Sequence, residues 1–145
     1  EHDEEFVHGY TYAGHPVACA VALKNIELLE ERKIIETVKN DTGPYFQAKL
    51  YDTFHDHPMV GEIRGEGMLA ALELVGNKLL RERFAPAKNA GGTVRDRCFA
   101  NNLMMRATRE AMILSPVLTI TRDEIDELIA RAKKSFDEGW EILKA

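Results

Sequence analysis

The sequence predicts a small α+β fold, an antiparallel-rich sheet with helices on one face. Three observations predict it. The chain has 145 residues, the size of one ordinary domain with a core of its own. Its C-terminal end carries a strong amphipathic helical pattern. Ahead of that pattern, short apolar runs come in two pairs around turn residues, the arrangement expected of strands joined by tight connections.

Residues 1–14 show little periodicity and read as a loop. Gly14-His15-Pro16 marks a helix start, because proline at the first helical position lacks only an N–H that has no partner there anyway. Residues 17–32 follow as a helix, with Ala18, Ala20 and Ala22 early and Ile26, Leu28 and Leu29 late. Residues 33–40 keep helical character. Gly43-Pro44 then either starts a second helix or kinks a long one, because proline removes a hydrogen bond and crowds the preceding turn. Tyr45, Phe46, Leu50 and Phe54 hold helical spacing until Pro58 stops it. Residues 59–65 and 68–75 read as two strands around Gly65-Glu66-Gly67, where the glycines serve backbone geometry. Residues 76–92 are irregular, with Pro86 and Gly91-Gly92 breaking any element. A short helix is expected over 93–101, and strands over 103–107 and 111–115, joined at Thr108-Arg109-Glu110. Thr121-Arg122-Asp123-Glu124 is a capping box. Ile125, Leu128, Ile129, Ala132, Phe136, Trp140 and Leu143 then recur every three or four residues, one face of a long helix.

The composition is 45% hydrophobic and 30% charged with a net charge of −5, that of a soluble globular chain. No basic block interleaves with aromatics, so no nucleic acid is expected as a partner. The longest apolar stretch, 111–120, is about half of what a bilayer crossing needs, and no membrane role is expected. The opening acids are the wrong charge for a signal peptide. Cys19 and Cys98 are too few for a disulfide framework and read as buried, reduced thiols of a cytoplasmic protein.

Chemistry is sparse. No nucleophile-and-base motif stands out. His55-Asp56-His57 reads as a polar helix end, since a metal site needs a third ligand, and no metal is expected. In Tyr10-Thr11-Tyr12-Ala13-Gly14-His15-Pro16, a hydroxyl and backbone N–H groups precede a helix N-terminus, a weak signal for an anion.

The motifs together resemble one family. His8-Gly-Tyr-Thr-Tyr-Ala-Gly-His-Pro-Val-Ala, with the Ala-rich helix after it, resembles a segment of the class III pyridoxal-phosphate aminotransferases. Val60-Gly-Glu-Ile-Arg64-Gly-Glu-Gly67, Asn102-Leu-Met-Met-Arg106-Ala, Ile113-Leu-Ser-Pro116-Val-Leu-Thr-Ile-Thr121 and Glu124-Ile-Asp126 match later parts of the same family in the same order. The branch most similar acts between amines or ω-amino acids and pyruvate.

The resemblance implies a domain plan: residues 1–32 a loop and inter-domain helix segment, and 33–145 the C-terminal small domain of a fold type I aminotransferase. It implies pyridoxal phosphate as cofactor, amines or amino acids and keto acids as substrates, and a homodimer. Thr11 stands where the family binds the cofactor phosphate across the dimer interface, helped by the backbone of Tyr10. Arg106 stands where the family binds the substrate carboxylate, a task suited to the two parallel N–H groups of a guanidinium. Arg64 is expected to be structural. The chain departs from the pattern at Arg109-Glu110, where Gly-Asp is usual, and at Val117, where a second proline is common. The lysine that holds the cofactor should precede the Thr-Tyr segment, yet the first lysine here is Lys24. No catalytic residue is therefore expected in this chain, which reads as an inactive C-terminal fragment of the enzyme. The alternative is a non-catalytic binding or dimerisation module of the same fold. A fragment should leave the early alanine-rich helix bare and prone to self-association.

Overall fold

The computed structural model describes residues 8–145. The loop expected over 1–14 therefore lies partly outside the described residues. The chain divides into two compact units, Glu1–Ile34 and Ile35–Ala145.

In the first unit a turn leads into helix α1, Pro16–Glu31, with Pro16 in its first turn. No α1 residue is buried. Val17, Val21, Leu23 and Ile26 are each more than half exposed. Cys19, expected to be buried, is exposed. Its neighbours are alanines and valines, and that apolar setting in the sequence has no covering partner here.

The second unit opens with α2, Ile34–Thr37, followed by a π turn over Val38–Thr42 and by α3, Gly43–Phe54. The kink and the new start are one feature. Gly43 donates its N–H to the Val38 carbonyl five residues back, and this wider turn absorbs Pro44, which has no N–H to offer. Glycine is required at 43, because a Cβ there would lie 2.4 Å from the Val38 oxygen.

Four strands follow: β1 Val60–Glu66, β2 Leu69–Leu74, β3 Arg106–Thr108 and β4 Ala111–Leu114. They form one antiparallel sheet in the order β1-β2-β4-β3. Between the hairpins lie a small loop bridged at Asn77 and Glu82, a 3-10 turn and helix α4, Ala90–Ala100. Helix α5, Arg122–Leu143, closes the chain.

Side chains alternate across the sheet. Ala70, Leu72, Leu74, Met112 and Leu114 are buried on one face. They meet Phe46, Leu50 and Phe54 of α3, Val94 and Cys98 of α4, and Ile125, Ile129, Ala132 and Phe136 of α5 in one core. Phe54 and Phe136 stack at a tilt with centroids 4.9 Å apart. The helices thus cover one face of the sheet, as the apolar pattern predicts. The predicted capping box of α5 is complete: Thr121 accepts from the Glu124 N–H, and the Glu124 carboxylate accepts from the Thr121 N–H at 2.8 Å. Such a cap contributes about 1 kcal/mol.

Two expectations fail, because contacts remote in sequence decide both. Helix α4 begins at Ala90, so Gly91-Gly92 start an element and do not break one. Both glycines are buried, and a Cβ on Gly91 would sit 1.9 Å from the Arg109 carbonyl oxygen. The close approach of α4 to the β3–β4 turn demands glycine. The strand expected over 103–107 begins only at Arg106. Asn102 adopts φ 55, its carbonyl accepts from Arg131 Nη1 at 2.7 Å, and the Leu103 N–H donates to the Cys98 carbonyl. The backbone before Arg106 is thereby tied to α4 and α5 and not to the sheet.

Candidate functional site

Among the described residues of the second unit, α3, α4 and α5 all pack on the sheet's first face and leave its second face uncovered. The register defines its occupants. One row across the strands reads Arg64, Ala71, Ile113, Arg106. The next reads Glu62, Glu73, Ala111, Thr108. Two arginines therefore share this face at opposite edges, with small or aliphatic residues between them.

Their surroundings differ. Arg64 is neutralised: its Nη2 lies 3.0 Å from Glu73 and its Nη1 3.5 Å from Glu62. Arg106 is exposed and has no acidic partner among the described residues. Its cross-strand neighbour is Ile113, so an apolar wall stands beside an unpaired guanidinium. Such a pairing suits a ligand with a carboxylate and an aliphatic body.

The turn into β4 sets the position of Arg106. Thr108 pairs with Ala111, so Arg109 and Glu110 form a two-residue hairpin loop, a length that requires positive φ. Arg109 supplies it at φ 56. The Glu110 carbonyl accepts from the Leu74 N–H at 2.8 Å. The hairpin forms without the glycine usual at this place, held by Leu74 on one side and Gly91 on the other.

In the first unit, Tyr10, Thr11 and Tyr12 lie in a turn closed by Ala13 N–H to the Tyr10 carbonyl at 2.9 Å and His15 N–H to the Tyr12 carbonyl at 3.2 Å. Tyr10 and Tyr12 are 75% and 80% exposed. The His8 and Tyr10 rings meet edge-on at 5.0 Å. The Thr11 hydroxyl has no hydrogen-bond partner among the described residues. An unpaired hydroxyl donor on an exposed turn fits one edge of a phosphate and supplies no counter-charge. Tyr10 and Thr11 belong to the first unit and Arg106 to the second.

His55 and His57 do not converge. His55 stacks on Tyr51 with centroids 4.8 Å apart and meets Asp56 at 2.9 Å. His57 is buried. Its Nδ1 accepts from the Met59 N–H at 3.2 Å, and Nε2 lies 3.3 Å from Asp137. Burial lowers its pKa below the ordinary histidine value, against the pull of Asp137. Cys98 is buried, and desolvation pushes its thiol up to about 11, against a hydrogen bond with Ser135. Among the described residues no group of three His, Cys, Asp or Glu side chains is placed to hold a metal ion. No helix among them is long and apolar enough to cross a membrane.

The chain belongs to the class-III aminotransferases, a pyridoxal-phosphate-dependent family: the sequence profile "Aminotransferase class-III" matches residues 2–136. A putrescine–pyruvate aminotransferase of Pseudomonas aeruginosa PAO1 is 57% identical over 134 residues, 92% of this chain and 29% of that protein. A mitochondrial gamma aminobutyrate transaminase 1 of Solanum lycopersicum is 41% identical over 97% of this chain and 27% of its own length. Among solved structures, an (S)-enantioselective omega-transaminase from Thermomicrobium roseum superposes with a TM-score of 0.85 at 34% identity, covering 94% of this chain and 30% of that one. A transaminase described under directed evolution by ancestral reconstruction gives a TM-score of 0.86 at 40% identity, with the same coverage. The chain thus spans less than a third of the relatives it matches. Its α+β fold is that of the C-terminal part of aminotransferase structures.

Proposed function

We propose that this chain is the C-terminal part of an aminotransferase that moves an amino group from an amine or ω-amino acid to a keto acid such as pyruvate. The observation that carries the reading is the 57% identity to a putrescine–pyruvate aminotransferase. The family plan then assigns residues 1–32 to a loop and inter-domain helix and 33–145 to the small domain. It also brings a homodimer, and the two free cysteines support a cytoplasmic setting.

In this reading Arg106 receives the substrate carboxylate. Its lack of an acidic partner supports the role, because a guanidinium already paired would have to break that pair first. Ile113 beside it excludes water from the aliphatic part of the substrate. The Thr11 hydroxyl donates to the cofactor phosphate, and the Tyr10 backbone shapes the turn that aims it. Pyridoxal phosphate, when bound, supplies the electron sink that lets the amino group migrate. Arg64 takes no part with substrate, being engaged by Glu62 and Glu73. No lysine precedes Thr11 in this sequence, so the chain alone is inactive in this reading, and pyridoxal phosphate added to it gives no stoichiometric protein-bound absorbance band. A band with amine turnover would overturn that.

The substrate test uses the protein encoded by the full reading frame. Putrescine, β-alanine, 1-phenylethylamine and 4-aminobutyrate are each offered with pyruvate. Preference for putrescine supports the reading. Exclusive use of 4-aminobutyrate favours the second reading, which the 41% identity to the tomato enzyme supports. No turnover of any of them returns the chain to a non-catalytic module.

A further inference from the structure

A charged cleft of the second unit uses neither Thr11 nor Arg106. It has a volume of about 350 Å³ and lies between the β1–β2 edge and the loop after β2, lined by Gly61, Glu62, Glu73, Val75, Arg81 and Arg83 with the Leu74 backbone region beneath. This is the lower end of the size range for small-molecule sites.

The loop wall is built by its own hydrogen bonds. Glu82 exchanges bonds with Asn77, N–H to carbonyl at 3.0 Å one way and 3.2 Å the other, and its carbonyl also accepts from the Gly76 N–H at 2.8 Å. The Leu80 N–H is held by the Asn77 side chain at 3.1 Å. Glu82 is thus paired like a strand residue. Arg81, in the turn at φ 53, and Arg83, just past the bridge, both line the cleft. Neither guanidinium has an acidic partner among the described residues.

The opposite wall is acidic and fixed. Glu62 and Glu73 pair across β1 and β2. Arg64, which is not in the lining, anchors Glu73 at 3.0 Å and leaves Glu62 more loosely held at 3.5 Å. The floor is apolar: Val75 is 5% exposed and packs on Gly61, where a Cβ would meet it at 2.6 Å.

Arg81 and Arg83, without acidic partners among the described residues, therefore share the cleft with Glu62 and Glu73, which Arg64 bridges from outside it, over a short apolar floor. A simple cation meets the arginines and a dianion meets the glutamates. A dipolar ligand satisfies both walls. We propose that this cleft binds a small zwitterionic amino acid, its carboxylate on Arg81 and Arg83, its ammonium on Glu62 and its carbon chain on Val75.

The test uses the 145-residue chain and nuclear magnetic resonance at constant ionic strength. β-Alanine is titrated against propionate, which lacks the ammonium, and ethylamine, which lacks the carboxylate. The Gly61 amide and the Arg81 and Arg83 Nε–H signals are expected to move and saturate with β-alanine at about millimolar concentration. Propionate and ethylamine should each bind at least tenfold more weakly. Arg83→Gln should weaken β-alanine at least tenfold. Glu62→Gln should reduce β-alanine to the level of propionate while leaving propionate unchanged. Unmoved signals from Leu114 and Phe136 report that each variant is folded. Equal binding of propionate and β-alanine would overturn the proposal in favour of a plain anion patch. Shifts that stay linear through the millimolar range would overturn it altogether.

Discussion

The two long helices of this chain, α1 and α5, differ in what they bury. Helix α5 has a full capping box and buries Ile125, Ile129, Ala132, Phe136 and Leu143. Helix α1 has no side-chain cap at His15 and buries nothing. Their apolar content is not what separates them. Val17, Val21, Leu23 and Ile26 of α1 are as apolar as anything in α5, but they are exposed. The difference is that α5 concentrates its apolar residues on one stripe, and the core supplies a surface of matching shape. The apolar residues of α1 are spread around it, the pattern of a helix meant to be covered on more than one side. None of those residues is buried in the structure.

The largest expected effect is chemical. One cysteine lies in each region, Cys19 exposed on α1 and Cys98 buried under α5. An aromatic disulfide reagent at pH 8 should modify Cys19 within seconds. Cys98 should react only as fast as the core opens, at least about a thousandfold slower for a domain of ordinary stability. The raised pKa of Cys98, about 11, leaves little thiolate in the closed state at that pH, so opening is the route that counts. If Cys19 is also protected, α1 is covered in solution, and size-exclusion chromatography would identify self-association as the cover. The comparison would then turn on oligomeric state.

Next in size are truncations. Phe136→Ala should destabilise by about 3–5 kcal/mol, because it opens a cavity against Phe54. Val21→Ala should stay within about 0.5 kcal/mol, the range of surface changes. Urea unfolding followed by circular dichroism measures both. A Val21→Ala cost above about 1.5 kcal/mol would break the contrast.

A smaller effect depends on pH. Buried His57 favours its neutral form, with Nδ1 accepting from the Met59 N–H. Its folded pKa lies below the ordinary value of about 6.5 that it regains on unfolding. The unfolded state therefore takes up the proton first as pH falls. Stability is complete above about pH 6.5 and declines below it, until the lowered folded pKa is passed and no further loss occurs. Thermal midpoints between pH 7.5 and 5.5 should fall in the wild type. His57→Asn, whose Oδ1 can still accept from Met59, should flatten the slope. An unchanged slope in His57→Asn would assign the titration elsewhere.

How much of this was legible in sequence depended on how local each signal is. The capping box and three-to-four spacing of α5 are complete within one segment and predict the helix. The start of α4 was not legible, because the reason for Gly91 is the Arg109 carbonyl, remote in sequence and brought close only by folding. Cys19 looked buried because apolar neighbours in a sequence do not say whether a partner surface is present. The same holds for function. Thr11 and Arg106 have weak local signals and gained roles only through family resemblance. Arg81 and Arg83 sit in a stretch without periodicity, which carries no local signal for a role. That Glu62 and Glu73 stand side by side follows from register, which no local pattern fixes.

The smallest effect concerns backbone strain, and it sharpens the contrast between the two units. Lys33, just after α1, and Arg109, in the β3–β4 turn, both adopt positive φ, 51° and 56°. Each side chain crowds its own backbone there, at a cost of about 1–2 kcal/mol that glycine avoids. Glycine adds unfolded-state entropy, which takes back part of the gain. Arg109→Gly should therefore stabilise the second unit by a net amount of about 0.5–1 kcal/mol, since Leu74 and Gly91 hold the turn in place whatever the side chain. Lys33→Gly relieves the same strain in the unit that includes α1, and it should leave the main unfolding transition unmoved. Differential scanning calorimetry of both variants reads the result. Equal rises in the main transition would mean that α1 and the sheet unfold as one body, and the two units would then be thermodynamically a single domain.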